Sequence, residues 1–132
     1  MASKKYAFYG TLRLNQPNYK RLLSPQTAKF LGTAELPGYV MFNLDMYPII
    51  VENPSHQGRP IKVDLFEIED EYTQRYIHLM ELGAGYEEKT TTINGDEYIV
   101  YYAPIRQRGI FYGNYDRIHS GDWVKHISKS DT

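Results

Sequence analysis

The chain contains no cysteine among its 132 residues. Disulfide bridges, thiolate metal sites and cysteine nucleophiles are therefore excluded together, and this absence is typical of proteins from a reducing compartment. An apolar run of about 18 residues, which a membrane-spanning helix needs, is also missing. The first ten residues, MASKKYAFYG, are too short and too polar for a signal peptide. We therefore expect a cytoplasmic protein without a membrane partner.

An excess of charge of one sign is missing as well. The formal net charge is −1, and the densest basic clusters are only the short stretches at 4–5 and 19–21. Because nucleic-acid binders concentrate positive charge on one face, the composition argues against a nucleic-acid partner. No closely spaced pair occurs among the four histidines, which are His56, His78, His119 and His126. We therefore expect no metal site.

The common motifs of phosphate-binding and nucleophilic loops are absent too. The sequence has no G-x-x-x-x-G-K, no G-x-G-x-x-G after a strand and no G-x-S-x-G. Tyrosine, by contrast, is abundant, with 13 residues. Since tyrosine favours strands and half-buried sheet faces, we assign most of the tyrosines to such positions and not to a ligand site.

The order of the predicted elements indicates a single domain over residues 1–132, with frayed ends at about 1–4 and 128–132. A short helix is expected around Pro17, which fits a first turn, with Asn15 or Gln16 as its cap. Residues 53–60 have the composition of a loop. Strands are predicted at 5–9, 27–36, on both sides of 43–46, at 61–68, and on both sides of Asn94-Gly95, a pair typical of a tight hairpin.

The clearest helix is predicted over residues 69–83. Acidic residues at its start suit the positive end of the helix dipole, and Gly83 is placed for a C-terminal cap. Its apolar face is expected to consist of Tyr72, Tyr76, Ile77, Leu79 and Met80.

Mostly sequential strands with one main helix and one short helix predict an α+β fold. We expect a mixed, largely antiparallel sheet that curls into a barrel-like form. After residue 103 only a short strand and a turn around Gly121–Trp123 are expected, in an otherwise irregular tail.

The stretch YAFYGTLR at 6–13 is the first feature with candidate chemistry, because a strand-like run ends there at Gly10. This glycine is either a plain turn residue or it clears space, so that the backbone amides around it can bind a small anionic or carbonyl group. Arg13 is interpreted as an outward-facing surface residue in preference to a partner for a substrate carboxylate.

Glu81 is the second such feature. It lies near the C-terminal end of the predicted helix, four residues after Ile77, at the edge of the apolar face. Burial and the negative end of the helix dipole would both raise the pKa of a carboxyl at this place, which suits a general acid/base. The alternative is a helix-end glutamate that turns outward to water.

Six stretches along the chain carry a recognisable order of motifs. They are FYGTLR (8–13), MYPIIVE (46–52), IKVDLFEIED (61–70), IHLMELGAGYEEKTTTI (77–93), YIVYYA (98–103) and HSGDWV (119–124). In this order they resemble the γ-glutamylcyclotransferase-like family, which includes γ-glutamylamine cyclotransferases and AIG2-like proteins. The chain departs from the family pattern at His78, where the family has an aspartate, and in KVDLF, which lacks the family's glycine. The resemblance implies the γ-glutamylcyclotransferase-like fold.

The resemblance also implies an enzyme of the acyltransferase or lyase type that needs no metal and no cofactor. Its substrate would be a small γ-glutamyl compound whose own α-amine attacks the γ-carbonyl, releasing 5-oxoproline and a free amine. Glu81 would be the catalytic general acid/base. Substrate binding would fall to Tyr9, Gly10, Thr11 and Leu12, through their backbone amides, and to Tyr86.

A member of the same family without catalytic activity is the alternative, and it would bind a small metabolite or a protein partner in the same cavity. A tyrosine-rich nucleic-acid binder is disfavoured because the chain lacks net positive charge. The leaving amine, the oligomeric state and the effect of His78 are left open by the sequence.

Overall fold

The computed structural model describes residues 3–14, 16–23, 26–53 and 59–130. The elements in this part of the chain are, in order, β1 (Lys4–Phe8), α1 (Pro17–Leu22), β2 (Ala28–Leu36), β3 (Tyr39–Asn43), β4 (Pro48–Glu52), β5 (Ile61–Ile68), α2 (Glu71–Gly83), β6 (Glu87–Ile93), β7 (Asp96–Tyr102), a 3-10 turn (Ile105–Gln107), α3 (Arg108–Asn114), β8 (Asp116–Arg117) and α4 (Trp123–Ser130). The predicted α+β class is confirmed.

Two sheets build the fold. The larger has the strand order β2-β5-β1-β7-β6, and the smaller has the order β4-β3-β8. The pair β1–β7 is parallel, whereas the other pairs of strands are antiparallel. A parallel bridge between Val51 and Ala103 connects β4 to the end of β7. The sheet is therefore mixed, largely antiparallel and curled, as the sequence predicts.

The main core fills the space between the two sheets. Alternating side chains of β3, β4, β5 and β7 meet there, including Met41, Ile50, Val63 and Val100, and Trp123 of α4 packs against them. Each of these side chains is almost completely buried. Burial of this apolar area is the main force that holds the curled sheet closed.

The hairpin between β6 and β7 follows its predicted turn chemistry. Asn94 and Gly95 have φ values of 53° and 88°, the left-handed conformations that a two-residue primed turn requires. At α1, Pro17 is the first helical residue as predicted, but the side chain of Gln16 makes no capping hydrogen bond. The alternative cap Asn15 lies outside the described residues, as do His56 and most of the predicted loop at 53–60.

The main helix α2 presents a different face to the sheet from the one predicted. Ile77 and Gln74 are its buried residues, and the Gln74 side-chain amide donates to the carbonyl of Ile68 at 2.6 Å. This hydrogen bond lets a polar residue lie inward, because its amide loses no partner on burial. The predicted apolar face was therefore wrong in part, since the side chains exposed to solvent include Tyr72, Tyr76 and Leu79.

The two ends of α2 are set by side-chain capping and by a later glycine. At the start, the Asp70 carboxylate accepts a hydrogen bond from the backbone N–H of Thr73 at 2.9 Å. At the end, Gly83 is still helical, and the residue with positive φ is Gly85, at 89°. The predicted cap at Gly83 is thus displaced by two residues.

The irregular tail predicted after residue 103 is mostly helical. It contains the 3-10 turn, α3 and α4, in addition to the short strand β8. Both helices are too short to be stable alone, so packing decides their conformation. Lys4 belongs to β1 and residues 128–130 belong to α4, although both were predicted to be frayed.

Arg13 is buried, and the prediction of an outward-facing residue was wrong. Only 8% of its surface is exposed. Its Nε lies 3.2 Å from Asp64 Oδ2, and its Nη1 lies 2.8 Å from Asp122 Oδ1. Asp64 also accepts hydrogen bonds from the backbone N–H of Leu14 at 2.9 Å and from the Thr33 hydroxyl at 3.2 Å. We call this group of side chains the Arg13 cluster.

Asp122 has a second role at the start of α4. Its Oδ1 accepts a hydrogen bond from the backbone N–H of Lys125 at 3.1 Å, so it caps the helix. Burial alone would raise the pKa of Asp122, but the hydrogen bond from Lys125 and the Arg13 guanidinium outweigh it, and the pKa is lowered. The carboxylate therefore stays ionised and holds Arg13.

We expect Arg13→Met to lower the free energy of unfolding by about 3 kcal/mol, because it leaves the buried carboxylate of Asp64 without a cation. Urea unfolding of the purified variant measures this change. Arg106→Met is the matched control, since Arg106 is exposed and its ion pair with Glu87 lies at the surface. It should cost less than about 1 kcal/mol. Equal losses for the two variants would contradict the role of the Arg13 cluster.

Candidate active site

A cavity of about 250 Å³ lies between the loop after β1, the start of β4 and the C-terminal half of α2. The residues that line it are Ala7, Phe8, Tyr9, Gly10, Thr11, Leu12, Tyr47, Pro48, Met80, Glu81, Ala84, Tyr86 and Tyr101. All six of the site residues expected from the sequence are in this group. Their shared location is a structural finding, whereas their chemical roles stay predictions.

Glu81 is the only acidic or basic side chain among the lining residues that the structure describes. It is half-buried, and burial raises its pKa from the ordinary 4.5 to about 7. The direction follows from desolvation, which disfavours the charged carboxylate in an apolar wall. Of the two interpretations of Glu81, the structure therefore favours the inward-facing carboxyl with a shifted pKa.

Two carbonyl groups of the loop after β1 accept backbone hydrogen bonds that fix the loop. The backbone N–H of Arg13 donates to the carbonyl of Gly10 at 3.0 Å, which closes a tight turn. The backbone N–H of Tyr19 in α1 donates to the carbonyl of Thr11, also at 3.0 Å. Together with the Arg13 cluster, these contacts fix the loop against α1 and β5.

Gly10 is required by the close approach of Pro48. A Cβ atom on Gly10 would lie 2.8 Å from both Cδ and Cγ of the Pro48 ring, closer than side-chain atoms normally come. Gly10 is not among the residues with positive φ. Its function in the fold is therefore to let the β4 proline form the adjoining wall of the cavity, and the left-handed freedom of glycine is not used.

Tyr47 and Pro48 were not assigned to the site from the sequence. The stretch MYPIIVE was noted among the motifs, but nothing in its spacing indicated that the Tyr-Pro pair would face Gly10 and Tyr86. The Tyr47 side chain makes a hydrogen bond with that of Tyr86.

The phenols that face Glu81 are neutral over the ordinary pH range. Burial, followed by the charge of Glu81, raises the pKa of Tyr9. Burial, followed by the effects of Tyr47 and Glu81, raises the pKa of Tyr86. Both hydroxyls therefore remain protonated and can donate hydrogen bonds inside the cavity.

Tyr101 is a further lining residue that the sequence did not indicate. Only 5% of its surface is exposed. Its hydroxyl lies 3.1 Å from Nδ1 of His78, and the same Nδ1 lies 3.1 Å from Glu88 Oε2. His78 thus contacts the wall of the cavity through Tyr101, without lining the cavity.

Comparison with known families identifies the chain. The family model described as "Gamma-glutamyl cyclotransferase, AIG2-like" matches residues 6–125. The chain belongs to this family. No curated protein matches the chain significantly.

Solved structures from other organisms have a similar fold. An uncharacterised protein from Pyrococcus horikoshii is 25% identical with a TM-score of 0.70, and the match covers 97% of this chain and 96% of that one. An AIG2-like protein from Mus musculus is 21% identical with a TM-score of 0.67, covering 92% and 90%. A uropathogenic E. coli-specific protein is 16% identical with a TM-score of 0.74, covering 97% and 98%.

Membership of the family implies a small-molecule substrate and suggests cyclotransferase activity. In the described part of the chain, none of the helices is long and apolar enough to cross a membrane.

We expect Gly10→Ala to lower the free energy of unfolding by about 1–2 kcal/mol, because the new methyl group must displace the Pro48 ring. Gly113→Ala is the matched control, since a Cβ atom on this helical glycine meets nothing within 4 Å. That change should be neutral or stabilise by up to about 1 kcal/mol. Urea unfolding compares them, and equal effects would argue against a close Gly10–Pro48 contact.

The raised pKa of Glu81 predicts a pH-dependent stability difference between the wild type and Glu81→Gln. Because the folded-state pKa is above the unfolded value, the fold disfavours the ionised carboxyl. The wild type should therefore lose stability relative to the variant as the pH rises from 4.5 to about 7, with no further change above that. Urea unfolding of both proteins across this range measures the difference, and a pH-independent difference would refute the shift.

Proposed function

We propose that this protein is a γ-glutamyl cyclotransferase that releases 5-oxoproline and a free amine from a small γ-glutamyl compound. The observation that carries the proposal is the position of Glu81, a single carboxyl with a pKa of about 7 in a cavity walled by the Y-G-T-L loop. A substrate of the form R–NH–CO–CH2–CH2–CH(NH3+)–COO− contains its own nucleophile, so the enzyme needs to supply only a base and a rigid binding site.

The reaction begins when the Glu81 carboxylate takes a proton from the α-ammonium group. The freed amine attacks the γ-carbonyl carbon, forming the new C–N bond of the five-membered ring. Collapse of the tetrahedral intermediate breaks the bond to the leaving nitrogen. Of the three α-ammonium protons, one stays on the ring nitrogen and two pass through Glu81 to the leaving nitrogen. The amine therefore departs as R–NH3+, and Glu81 ends ionised.

A pKa near 7 suits both halves of this task. A carboxyl with an ordinary pKa would be too weak a base to accept an ammonium proton, and as an acid it would hold no proton at neutral pH. At a pKa of about 7 both forms of Glu81 are populated near neutral pH, which is the condition under which a general acid/base works best.

The loop after β1 supplies the candidate binding wall. We assign binding of the γ-glutamyl moiety and its developing oxyanion to the backbone amides of Tyr9, Gly10, Thr11 and Leu12. The hydrogen bonds that hold this loop by its carbonyl groups support the assignment, since fixed dipoles stabilise a developing charge better than mobile ones.

The opposite wall is assigned to Tyr86. Its hydroxyl is neutral and close enough to Glu81 for the two to interact, so it can bind a polar group of the substrate beside the base. We propose that the reaction takes place in the cytoplasm, without a cofactor and without a nucleic-acid partner, consistent with the composition of the chain.

Glu81→Gln should reduce 5-oxoproline release by a factor of about 100 or more, because the amide keeps the shape of the side chain but cannot carry protons. The measurement is mass-spectrometric detection of 5-oxoproline from a panel of γ-glutamyl amines and γ-glutamyl amino acids. Glu97→Gln is the matched control, since Glu97 is an exposed residue of β7 remote from the cavity.

Wild-type levels of turnover in Glu81→Gln would refute the general acid/base role. If the wild type binds γ-glutamyl compounds in calorimetry but releases no 5-oxoproline from any of them, the protein is a binding member of the family and the proposed reaction is wrong.

A further inference from the structure

A second cavity lies beside α2, on the side that faces β6 and β7. Its volume is about 450 Å³, and its walls include Tyr6, Arg75, His78 and Glu88. Tyr101 lines this cavity as well as the candidate active site. One buried phenol therefore forms part of the partition between a polar groove and the cavity that contains Glu81.

On the groove side of this partition, His78 contacts Tyr101 and Glu88. Its Nδ1 lies 3.1 Å from the Tyr101 hydroxyl and 3.1 Å from Glu88 Oε2, and its ring lies against the Tyr101 ring with centroids 6.2 Å apart. The other charged or titratable groups that face the groove are Lys4 and Tyr6 from β1 and Glu71 and Arg75 from α2.

The two contacts of Nδ1 indicate which ring nitrogen of His78 carries the hydrogen. A carboxylate oxygen only accepts hydrogen bonds, so Glu88 Oε2 favours the form of His78 that carries a hydrogen on Nδ1. An Nδ1 that carries a hydrogen cannot accept one. The Tyr101 O–H is then not donated to His78, and it is available to another acceptor.

Tyr101 also lines the candidate active site that contains Glu81. Burial, followed by the charge of Glu88 and then by Tyr6 and Glu81, raises the pKa of Tyr101. The phenol therefore stays protonated and available as a donor over the whole pH range in which Glu81 titrates.

We propose that Tyr101 is a further catalytic residue, whose hydroxyl donates a hydrogen bond into the active-site cavity, and that His78 and Glu88 are positioning residues that aim this hydrogen. The inference rests on the proposed cyclotransferase reaction. No proton is transferred by Tyr101 in this role. Its hydroxyl stabilises the negative charge that develops on the γ-carbonyl oxygen as the ring closes, beside the backbone amides of the loop.

The activity test compares Tyr101→Phe, His78→Leu and their double variant. Loss of one donor to a developing charge should lower kcat by about tenfold to a hundredfold with little change in KM. His78→Leu should lower kcat in the wild-type background and cause no further loss in the Tyr101→Phe background, because it acts through that hydroxyl. Tyr98→Phe is the control, a buried tyrosine of the same strand outside both cavities.

His78→Asn provides the rescue, since its side-chain amide can place an N–H donor close to the position of Nδ1. It should retain most of the activity that His78→Leu loses. Losses of kcat that add in the double variant would overturn the proposal, and so would unchanged kcat in Tyr101→Phe.

The His78 tautomer provides a readout that does not depend on activity. In ¹⁵N NMR of the full chain at mildly alkaline pH, where a free imidazole is neutral, we expect the hydrogen on Nδ1, and we expect Glu88→Gln to shift the population toward Nε2. A hydrogen on Nε2 in the wild type would overturn the proposal. If the wild type turns over none of the γ-glutamyl panel, the proposed function fails, and the tautomer still shows whether the Tyr101 O–H is donated to His78 or is available to another acceptor.

Discussion

The Arg13 guanidinium lies between Asp64 of β5 and Asp122 at the start of α4, and this buried ion cluster joins three segments that are far apart in the sequence. Asp64 also accepts the backbone N–H of Leu14, so the cluster sets the direction in which the chain leaves the Y-G-T-L loop. A buried charge pair contributes little net stability compared with an apolar core, but its attraction offsets the cost of desolvation only when the charged groups are positioned accurately. The position of the loop wall, and therefore the shape of the cavity, follows from it.

A cavity whose described lining residues include one carboxyl and no cation is the second consequence of this arrangement. The loop, the Gly10–Pro48 contact and the C-terminal half of α2 enclose Glu81 in apolar and phenolic surface. In this environment the carboxylate loses hydration and gains no compensating charge, so its pKa moves toward neutrality. The packing of Ile77, which is fully buried, holds the helix that presents Glu81. Packing elsewhere in the fold, such as that of Ile77, thus offsets the cost of burying the Glu81 carboxylate.

The parts of the fold that could be predicted are those with a strong local signal. The Asn94-Gly95 turn, the strand at 61–68 and the existence of the helix α2 all depend on residues close in sequence, and the structure confirms them. The predictions failed where the conformation depends on residues that are far apart in the sequence. The helices after residue 103 are too short to be stable without packing against the rest of the fold, and Gln74 lies inward because a carbonyl of β5 satisfies its amide. Arg13 looked like a surface residue because its two carboxylate partners are 51 and 109 positions away.

The candidate site likewise has some features that the sequence predicts and others that only the tertiary structure shows. By itself, the sequence determined the family, through the order of its motifs, and thereby which loop and which glutamate are candidates for the site. Only the tertiary structure decided that Pro48 is the reason for a glycine at position 10, that Glu81 is desolvated, and that Tyr101 lines two cavities and contacts His78. The physical reason is that desolvation and hydrogen-bond direction depend on which surfaces meet when the chain closes. Spacing along a strand or a helix carries no information about those surfaces.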